Sequence, residues 1–295
     1  MDEQTMVDPY GVEVFSRSWP IDSPKGLVLI AHGASEHSGR YDRFATALND
    51  AGFAAVAIDH RGHGHTGSAP GAALMGPGGG QAVIDDLDQL RADAAAKLAD
   101  GTPVFLFGHS MGALIGLAYL TQHAEGLAGG ILCGMAADVN DAAATGALLQ
   151  GFADAGMRDH PAGDLLAANN AAFEPARTPF DWLSRDTDEV DRYVGDPFCG
   201  DGNPLTFGYL IDLFDVVAPA AEQLAAISCP VFVIAGDQDP AAAMGAHATA
   251  LATALAAKDI EVDCKIYEGA RHELLNETNR DEVTADIVTW LRAHC

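Results

Sequence analysis

The chain has 295 residues, 48% of them apolar, enough to bury a sizeable core as one large domain or as a domain with an insertion, and too apolar for disorder. Its formal charge of -26 at pH 7 argues against nucleic acid and anionic membrane surfaces as partners. The acid is mostly aspartate, 30 Asp against 12 Glu, with only 4 Lys against 12 Arg. That balance keeps a protein solvated in concentrated salt and makes it repel itself at low ionic strength.

The acidic start, Met1-Asp2-Glu3-Gln4-Thr5-Met6, lacks the basic and apolar regions of a secretory signal, so a cytoplasmic protein is expected. Val12 to Trp19 alternates as an early strand, and Gly26 to Ala31 is a continuous apolar run, as in a strand buried on both faces. The chain then passes through His32-Gly33-Ala34-Ser35-Glu36-His37-Ser38-Gly39-Arg40-Tyr41 into a helical pattern ending near Ala51. Phe53 to Ile58 is the next buried strand, followed by the loop Asp59-His60-Arg61-Gly62-His63-Gly64-His65. A Gly/Pro-rich connector at 67–80 precedes a long amphipathic helix, roughly Gln81 to Ala99.

The run Pro103 to Leu120 carries the most chemistry. β-formers end at Gly108, Ser110 stands between Gly108 and Gly112, and a helical run of small apolar residues follows at once. A serine at so sharp a strand-to-helix corner has strained dihedrals, and only glycines two residues to either side let strand and helix approach. Its hydroxyl is thereby exposed at a helix N-terminus, where developing negative charge is favoured.

Gly129 to Cys133 is a further strand, and the alternation of strand and helix to this point implies a parallel sheet covered on both faces. From about 137 to 228 the alternation breaks: helical fragments and loops occur, without an apolar strand run. So long a block reads as a helical insertion. It holds six of the twelve phenylalanines (152, 173, 180, 198, 207 and 214), together with Trp182, and sixteen acids against four arginines. Alternation resumes with Cys229 to Ala235, a helix from about Ala243, a strand from Ile260 to Tyr267 and a last helix from Arg280 to Ala293. The stretch from Ala241 to Ala257 is free of charge but too rich in alanine to span a membrane. The five cysteines (133, 199, 229, 264 and 295) show no pairing framework and no CxxC spacing; free thiols are expected, with Cys133, Cys229 and Cys264 acting as small hydrophobes.

A serine hydroxyl needs a histidine base, and the histidine an orienting carboxylate. In an open α/β sheet these lie at the carboxyl ends of strands. Two such ends supply them: Gly236-Asp237-Gln238-Asp239-Pro240 and Glu268-Gly269-Ala270-Arg271-His272-Glu273. Of the two aspartates, Asp239 is preferred, because Asp237 sits in the turn leaving the strand and is placed to hold it. The oxyanion formed on an attacked carbonyl would meet the Met111 N–H, next after the serine, and a second N–H from the loop after Ala31.

Taken together, His32-Gly33-Ala34, Asp59-His60-Arg61-Gly62-His63-Gly64, Gly108-His109-Ser110-Met111-Gly112, Gly236-Asp237-Gln238-Asp239-Pro240 and Gly269-Ala270-Arg271-His272 resemble the α/β-hydrolase superfamily. More narrowly they are similar to its monoacylglycerol lipase and lysophospholipase-like serine hydrolases, a branch grouped with serine aminopeptidases. The resemblance runs from about Lys25 to the C-terminus. It implies an α/β-hydrolase fold, a mostly parallel sheet with helices on both faces, with residues 1–136 and 229–295 as core and 137–228 as a helical cap.

It also implies Asp239 as the acid, Ala34 as the second oxyanion donor, and His32 and Gly33 as residues that shape that loop. His60, His63 and His65 lack metal-ligand spacing, and the family carries their loop without a metal; neither metal nor cofactor is expected. Glu36 and Arg40 either pair with each other or, as in the lipases, lie near the alcohol-binding end of the pocket. After His272 stands Glu273-Leu274-Leu275-Asn276, as in bacterial members, without the second histidine of the animal enzymes. The expected reaction is hydrolysis of neutral carboxylic esters, acyl glycerols or related compounds, through an acyl-enzyme on Ser110. The rivals are an aminopeptidase and a ligand-binding protein that keeps the hydrolase shell; a haloalkane or epoxide hydrolase would carry Asp in place of Ser110.

The charge balance carries its own test: the melting temperature is expected to rise between low and molar salt, and a flat melting series would remove salt adaptation.

Overall fold

A computed structural model describes residues 1–66, 73–163 and 167–295, so the first part of the 67–80 connector and three residues of the 137–228 block lie outside the described residues. Its centre is an eight-stranded sheet in the order β1-β2-β4-β3-β5-β6-β7-β8. The strands are β1 (Asp2–Val7), β2 (Glu13–Trp19), β3 (Gly26–Ala31), β4 (Phe53–Ile58), β5 (Val104–His109), β6 (Gly129–Cys133), β7 (Val231–Gly236) and β8 (Val262–Tyr267). From β4 through β8 every pairing is parallel, and β1 and β2 add an antiparallel edge. This is the expected α/β-hydrolase fold.

The period of two along each strand divides the core between two faces. Leu27, Leu29, Val104, Leu106, Val231 and Val233 face one side, where they pack with α2 (Gly79–Ala95) and α3 (Met111–His123). Val28, Ile30, Phe105, Phe107, Phe232 and Ile234 face the other, covered by Phe44 and Leu48 of α1 (Asp42–Ala51) and by the last helix of the chain, Arg280–Ala293, through Ile287, Trp290 and Leu291. The central strands are buried along their whole length, which is why they read as unbroken apolar runs.

Residues 137–228 contribute α4 (Ala142–Asp154), α5 (Thr187–Gly195) and α6 (Phe207–Glu222), and no strand among the described residues. α6 packs on α4 and also against α2 and α3, so Tyr209, Leu213 and Val217 join the core on that face. A second cluster, Trp182, Leu183, Tyr193 and Cys199 with Phe173 and Phe180, sits apart from it. After β7 come α7 (Ala246–Ala256) and, after β8, α8 (Arg280–Ala293). Among the described residues no helix is long and apolar enough to cross a membrane.

Three details differ from the sequence reading. β1 goes unread because its side chains point to water; it exists through backbone pairing with β2 at the sheet edge. Cys264 is exposed rather than buried, because β8 is the opposite edge and only Tyr267 of that strand is buried. The helix expected from Ala243 starts at Ala246, since Ala243, Met244 and Gly245 all take positive φ in the turn that precedes it. All five cysteines are free.

The loop after β4 is fixed by a buried cation. The Arg61 side chain is 1% exposed and pairs with Asp8 and with Asp86 (2.6 Å), while its Nη1 donates to the carbonyl of Met75. Burial raises the pKa of Asp86, with Arg61 opposing it. Arg61→Ala would strand two buried carboxylates and is expected to cost about 3–5 kcal/mol in chemical denaturation.

Candidate active site

Ser110 stands between β5 and α3 with φ 54° and ψ -115°, a left-handed conformation costly to a residue with a Cβ. Its amide donates to the Cys133 carbonyl (2.8 Å), and its own carbonyl accepts from Ala113 and Leu114, which starts the helix. The flanking glycines are a steric requirement. A Cβ on Gly108 would be driven into the Gly112 carbonyl oxygen, and a Cβ on Gly112 into that of Ala31.

His272 comes from the loop after β8 and is 2% exposed. Its Nε2 lies 2.9 Å from Ser110 Oγ, and its Nδ1 lies 2.8 Å from Asp239 Oδ2. Facing a carboxylate, Nδ1 carries the proton, so Nε2 is left to accept from the serine hydroxyl. The other oxygen of fully buried Asp239 accepts from the amides of Ala241 (3.0 Å) and Ala242 (3.2 Å), which lock its rotamer. Asp237 is turned elsewhere: it accepts from the Gly269 amide (2.7 Å) and ties the β7 and β8 loops together. Burial lowers the pKa of His272, but the charge and hydrogen bond of Asp239 outweigh it, and the net shift is upward from 6.5. The adjacent His109 ring, 4.8 Å away, is pushed down to about 4 by burial and by His272, and stays neutral.

The 32–36 loop faces the serine. The His60 amide donates to His32 Nε2 (2.9 Å), which leaves Nδ1–H to donate to the Gly33 carbonyl (2.7 Å). Burial lowers the pKa of His32, so this neutral tautomer persists. The Gly33 amide donates to Glu36 Oε1 (2.6 Å), and Ala34 is left on the pocket wall with Ser110. Met111 opens α3, where no intrahelical carbonyl reaches its N–H.

Glu36 and Arg40 do pair (2.7 Å), though around a 3-10 turn, Ser38–Tyr41, rather than along an α-helix. Glu36 also accepts from the Tyr41 hydroxyl (2.9 Å). Arg40 forks onto Glu273 at 2.5 and 2.8 Å and lies under the Tyr193 ring. Burial alone would raise the pKa of Glu36, but Arg40 and the neighbouring histidines bring it down to about 2. Glu36 lines the pocket, whereas Arg40 stands behind it, beside a second small cavity.

The three loop histidines go to different surroundings. The His60 and His63 rings lie tilted against that of His32, with centroids at 4.5 and 5.3 Å, and His63 is pushed down to about 3 by burial. His65 sits on Phe15 and Phe198. Asp59 holds their loop by accepting from the amides of Ser38 and His65, each at 2.8 Å.

Sequence reasoning missed how closely the 137–228 segment grips the histidine loop. The Trp182 ring lies 4.8 Å from that of His272, and the Glu273 amide donates to the Leu183 carbonyl (2.8 Å). Arg271 donates to the carbonyls of Asp181 and Ser184, and Glu277 accepts from the amides of Arg185 (3.0 Å) and Arg271 (2.9 Å). Apart from the local Arg271–Glu277 bond, these partners are about 90 residues apart in sequence, so no local pattern announces them. The resulting cavity, about 70 Å³, is lined by Ser110, His272 and Ala34 together with Pro179, Phe180, Trp182, Leu183, Tyr193 and Leu205. Of the six phenylalanines in the segment, Phe180 is the one among the described lining residues; Phe152 stacks on Phe207 instead (4.5 Å).

Residues 22–279 match the model of the serine aminopeptidase S33 family of hydrolases. The chain belongs to this family. Among its relatives, human monoglyceride lipase is 32% identical over 281 residues, covering 92% of this chain and 84% of that protein. The monoacylglycerol lipase of Mycolicibacterium smegmatis is 29% identical over 291 residues, 96% of this chain and 94% of the relative. A thermostable carboxyl esterase from Bacillus coagulans, solved with glycerol, superposes with a TM-score of 0.87 at 30% identity, over 99% of this chain and 98% of that one.

Paired with Asp239, His272 is expected to titrate above ~6.5, which an NMR titration checks. Asp239→Asn removes the largest raising charge, leaving burial opposed only by the weaker influence of Glu273 and Glu36. The midpoint of the histidine in the same titration should then fall. An unchanged midpoint would contradict the pairing.

Proposed function

We propose that the chain hydrolyses neutral carboxylic esters, monoacylglycerols or related acyl esters, through an acyl-enzyme on Ser110. The observation that carries this reading is the continuous hydrogen-bonded chain from Ser110 Oγ through His272 to Asp239, opening into an apolar cavity. His272 takes the serine proton at Nε2 as Oγ attacks and returns it to the leaving alcohol, while Asp239 holds the tautomer and stabilises the imidazolium. The amides of Met111 and Ala34 receive the oxyanion, each such donor contributing about 2.7–4 kcal/mol. Water then attacks the acyl-enzyme by the same route. The names of the relatives, lipases of monoglycerides and an esterase, agree with the substrate class.

In this reading residues 1–136 and 229–295 form the core, and 137–228 acts as a cap that selects the substrate. Its apolar residues on the cavity wall suit an acyl chain, and its sixteen acids against four arginines disfavour anionic esters. Glu36 and Arg40 hold the oxyanion loop by their mutual pairing, with Glu36 also presented to the alcohol side of the cavity.

One observation favours a second reading. Asp201 is an exposed carboxylate on the cavity wall and is placed to grip a substrate amino group, as an aminopeptidase requires. Comparing p-nitrophenyl esters of two to eighteen carbons with amino-acyl anilides separates the two. Ester cleavage with stoichiometric labelling of Ser110 by a fluorophosphonate is expected, and Ser110→Ala should be inactive. Full activity in that variant would sink the mechanism, and turnover below ~0.01 per second on every ester would favour a non-catalytic ligand-binding role.

A further inference from the structure

Beside the mouth of the cavity, but outside the Ser110 chain, three side chains of different chemistry meet. His37 follows the oxyanion loop, while Asp196 and Cys199 lie just after α5 in the 137–228 segment. One ligand atom from each of His37, Asp196 and Cys199 lies within 4.8 Å of the others, the one such group of three found among the described residues, and His37 Nε2 is 2.9 Å from Asp196 Oδ2. We propose that these three residues form a binding site for a divalent zinc-like cation, which staples the 137–228 segment to the oxyanion loop.

The local chain is built as a chelating turn. Asp196 and Cys199 are separated by two residues, the spacing of paired ligands in zinc-binding loops. The Cys199 amide donates to the Asp196 carbonyl (3.0 Å), closing the turn and bringing carboxylate and thiol to one side. The Phe198 amide donates to Asp196 Oδ1 (2.9 Å), which leaves Oδ2 directed at His37. That outer hydrogen bond is the kind that orients a ligating carboxylate. The third ligand arrives from the other part of the chain, His37 Nε2 at 2.9 Å from Asp196 Oδ2.

One nitrogen, one oxygen and one sulfur suit a borderline-soft ion such as Zn²⁺, and not Mg²⁺ or Ca²⁺, which take oxygen ligands. Bond lengths of about 2.0–2.3 Å place tetrahedral ligands roughly 3.3–3.6 Å apart, so the His37–Asp196 pair (2.9 Å) must open slightly, and any separation to the thiol near the 4.8 Å limit must close by about 1 Å around the ion. Cys199 is 3% exposed and His37 and Asp196 are half-buried, which leaves a fourth position for water from the solvent side. Binding moves the imidazole proton from Nε2 to Nδ1, giving up the bond from the Gly39 amide (3.2 Å), and releases the thiol proton to solvent. The surroundings favour a cation: the single charge of Arg40 is shared between Glu36 and Glu273, and the chain carries -26 overall.

The two segments already touch here, since the Gly200 amide donates to the Ser35 carbonyl (3.0 Å), and Ser35 and Gly200 both line the cavity. A metal bridge would fix this seam. It is a structural clamp, independent of the chemistry proposed for Ser110.

The test uses the full chain, stripped with a chelator and kept reduced with a phosphine. Titration with Co²⁺ is expected to give one ion per chain and a sulfur-to-cobalt charge-transfer absorption, displaced by Zn²⁺, and Zn²⁺ should raise the melting temperature. Cys199→Ser should abolish the absorption. Asp196→Asn and His37→Gln should each weaken cobalt binding at least tenfold, whereas Cys264→Ser on the exposed edge strand should not. Circular dichroism establishes that each variant is folded. The proposal fails if the wild-type chain gives no such absorption, if it survives in Cys199→Ser or depends on Cys264, or if Asp196→Asn and His37→Gln bind cobalt like the wild type.

Discussion

A single strained residue organises this molecule. Ser110 is held at φ 54° because β5 and α3 must meet within one residue, and the contact is so close that neither Gly108 nor Gly112 has room for a Cβ. That conformation costs on the order of 1–3 kcal/mol and persists only where the surroundings over-determine it. Here they do: β5 lies in the middle of the parallel sheet, every residue of it is buried, and α3 is buried on all sides from Met111 to Leu120. The rigid core on both faces of the sheet is what holds the serine hydroxyl within 2.9 Å of an imidazole that enters from a strand about 160 residues later.

The imidazole is constrained from three directions at once. Asp239 holds its Nδ1 side, the serine its Nε2 side, and the Trp182 ring stands 4.8 Å from its own. The last of these comes from the 137–228 segment, which is bound to the histidine loop by the Arg271 and Glu277 hydrogen bonds. The segment that walls the cavity therefore also helps to set the position of His272. The contacts between them are part-buried hydrogen bonds, with Glu277 itself fully buried.

Charge is handled in the same manner. In a chain with 42 acids and 16 basic residues, arginines are scarce, and several stand where two carboxylates converge. Arg61 lies between Asp8 and Asp86, and Arg40 between Glu36 and Glu273. The first fixes the loop after β4, and the second braces the 32–36 loop that faces Ser110. Buried carboxylates left without such partners would be strongly destabilising.

By itself, the sequence determined the parts whose cause is local. The buried strands were legible because burial on both faces demands unbroken apolar runs, as in Gly26–Ala31 and Phe53–Ile58. The corner at Ser110 was legible because its sterics demand glycine at two fixed positions. The preference for Asp239 over Asp237 followed from the shape of one turn, and the structure turns Asp239 to His272 and Asp237 to the Gly269 amide. Only the tertiary structure decided the rest. It decided that Arg40 forks onto Glu273, that Trp182 covers His272, that β1 pairs at the edge despite its exposed side chains, and that His37 meets Asp196 and Cys199. The physical reason is one of range. Backbone conformation and strand burial are imposed by neighbours in sequence, whereas a hydrogen bond or a ring contact between residues far apart in the chain exists only once the sheet has closed and its loops share one end.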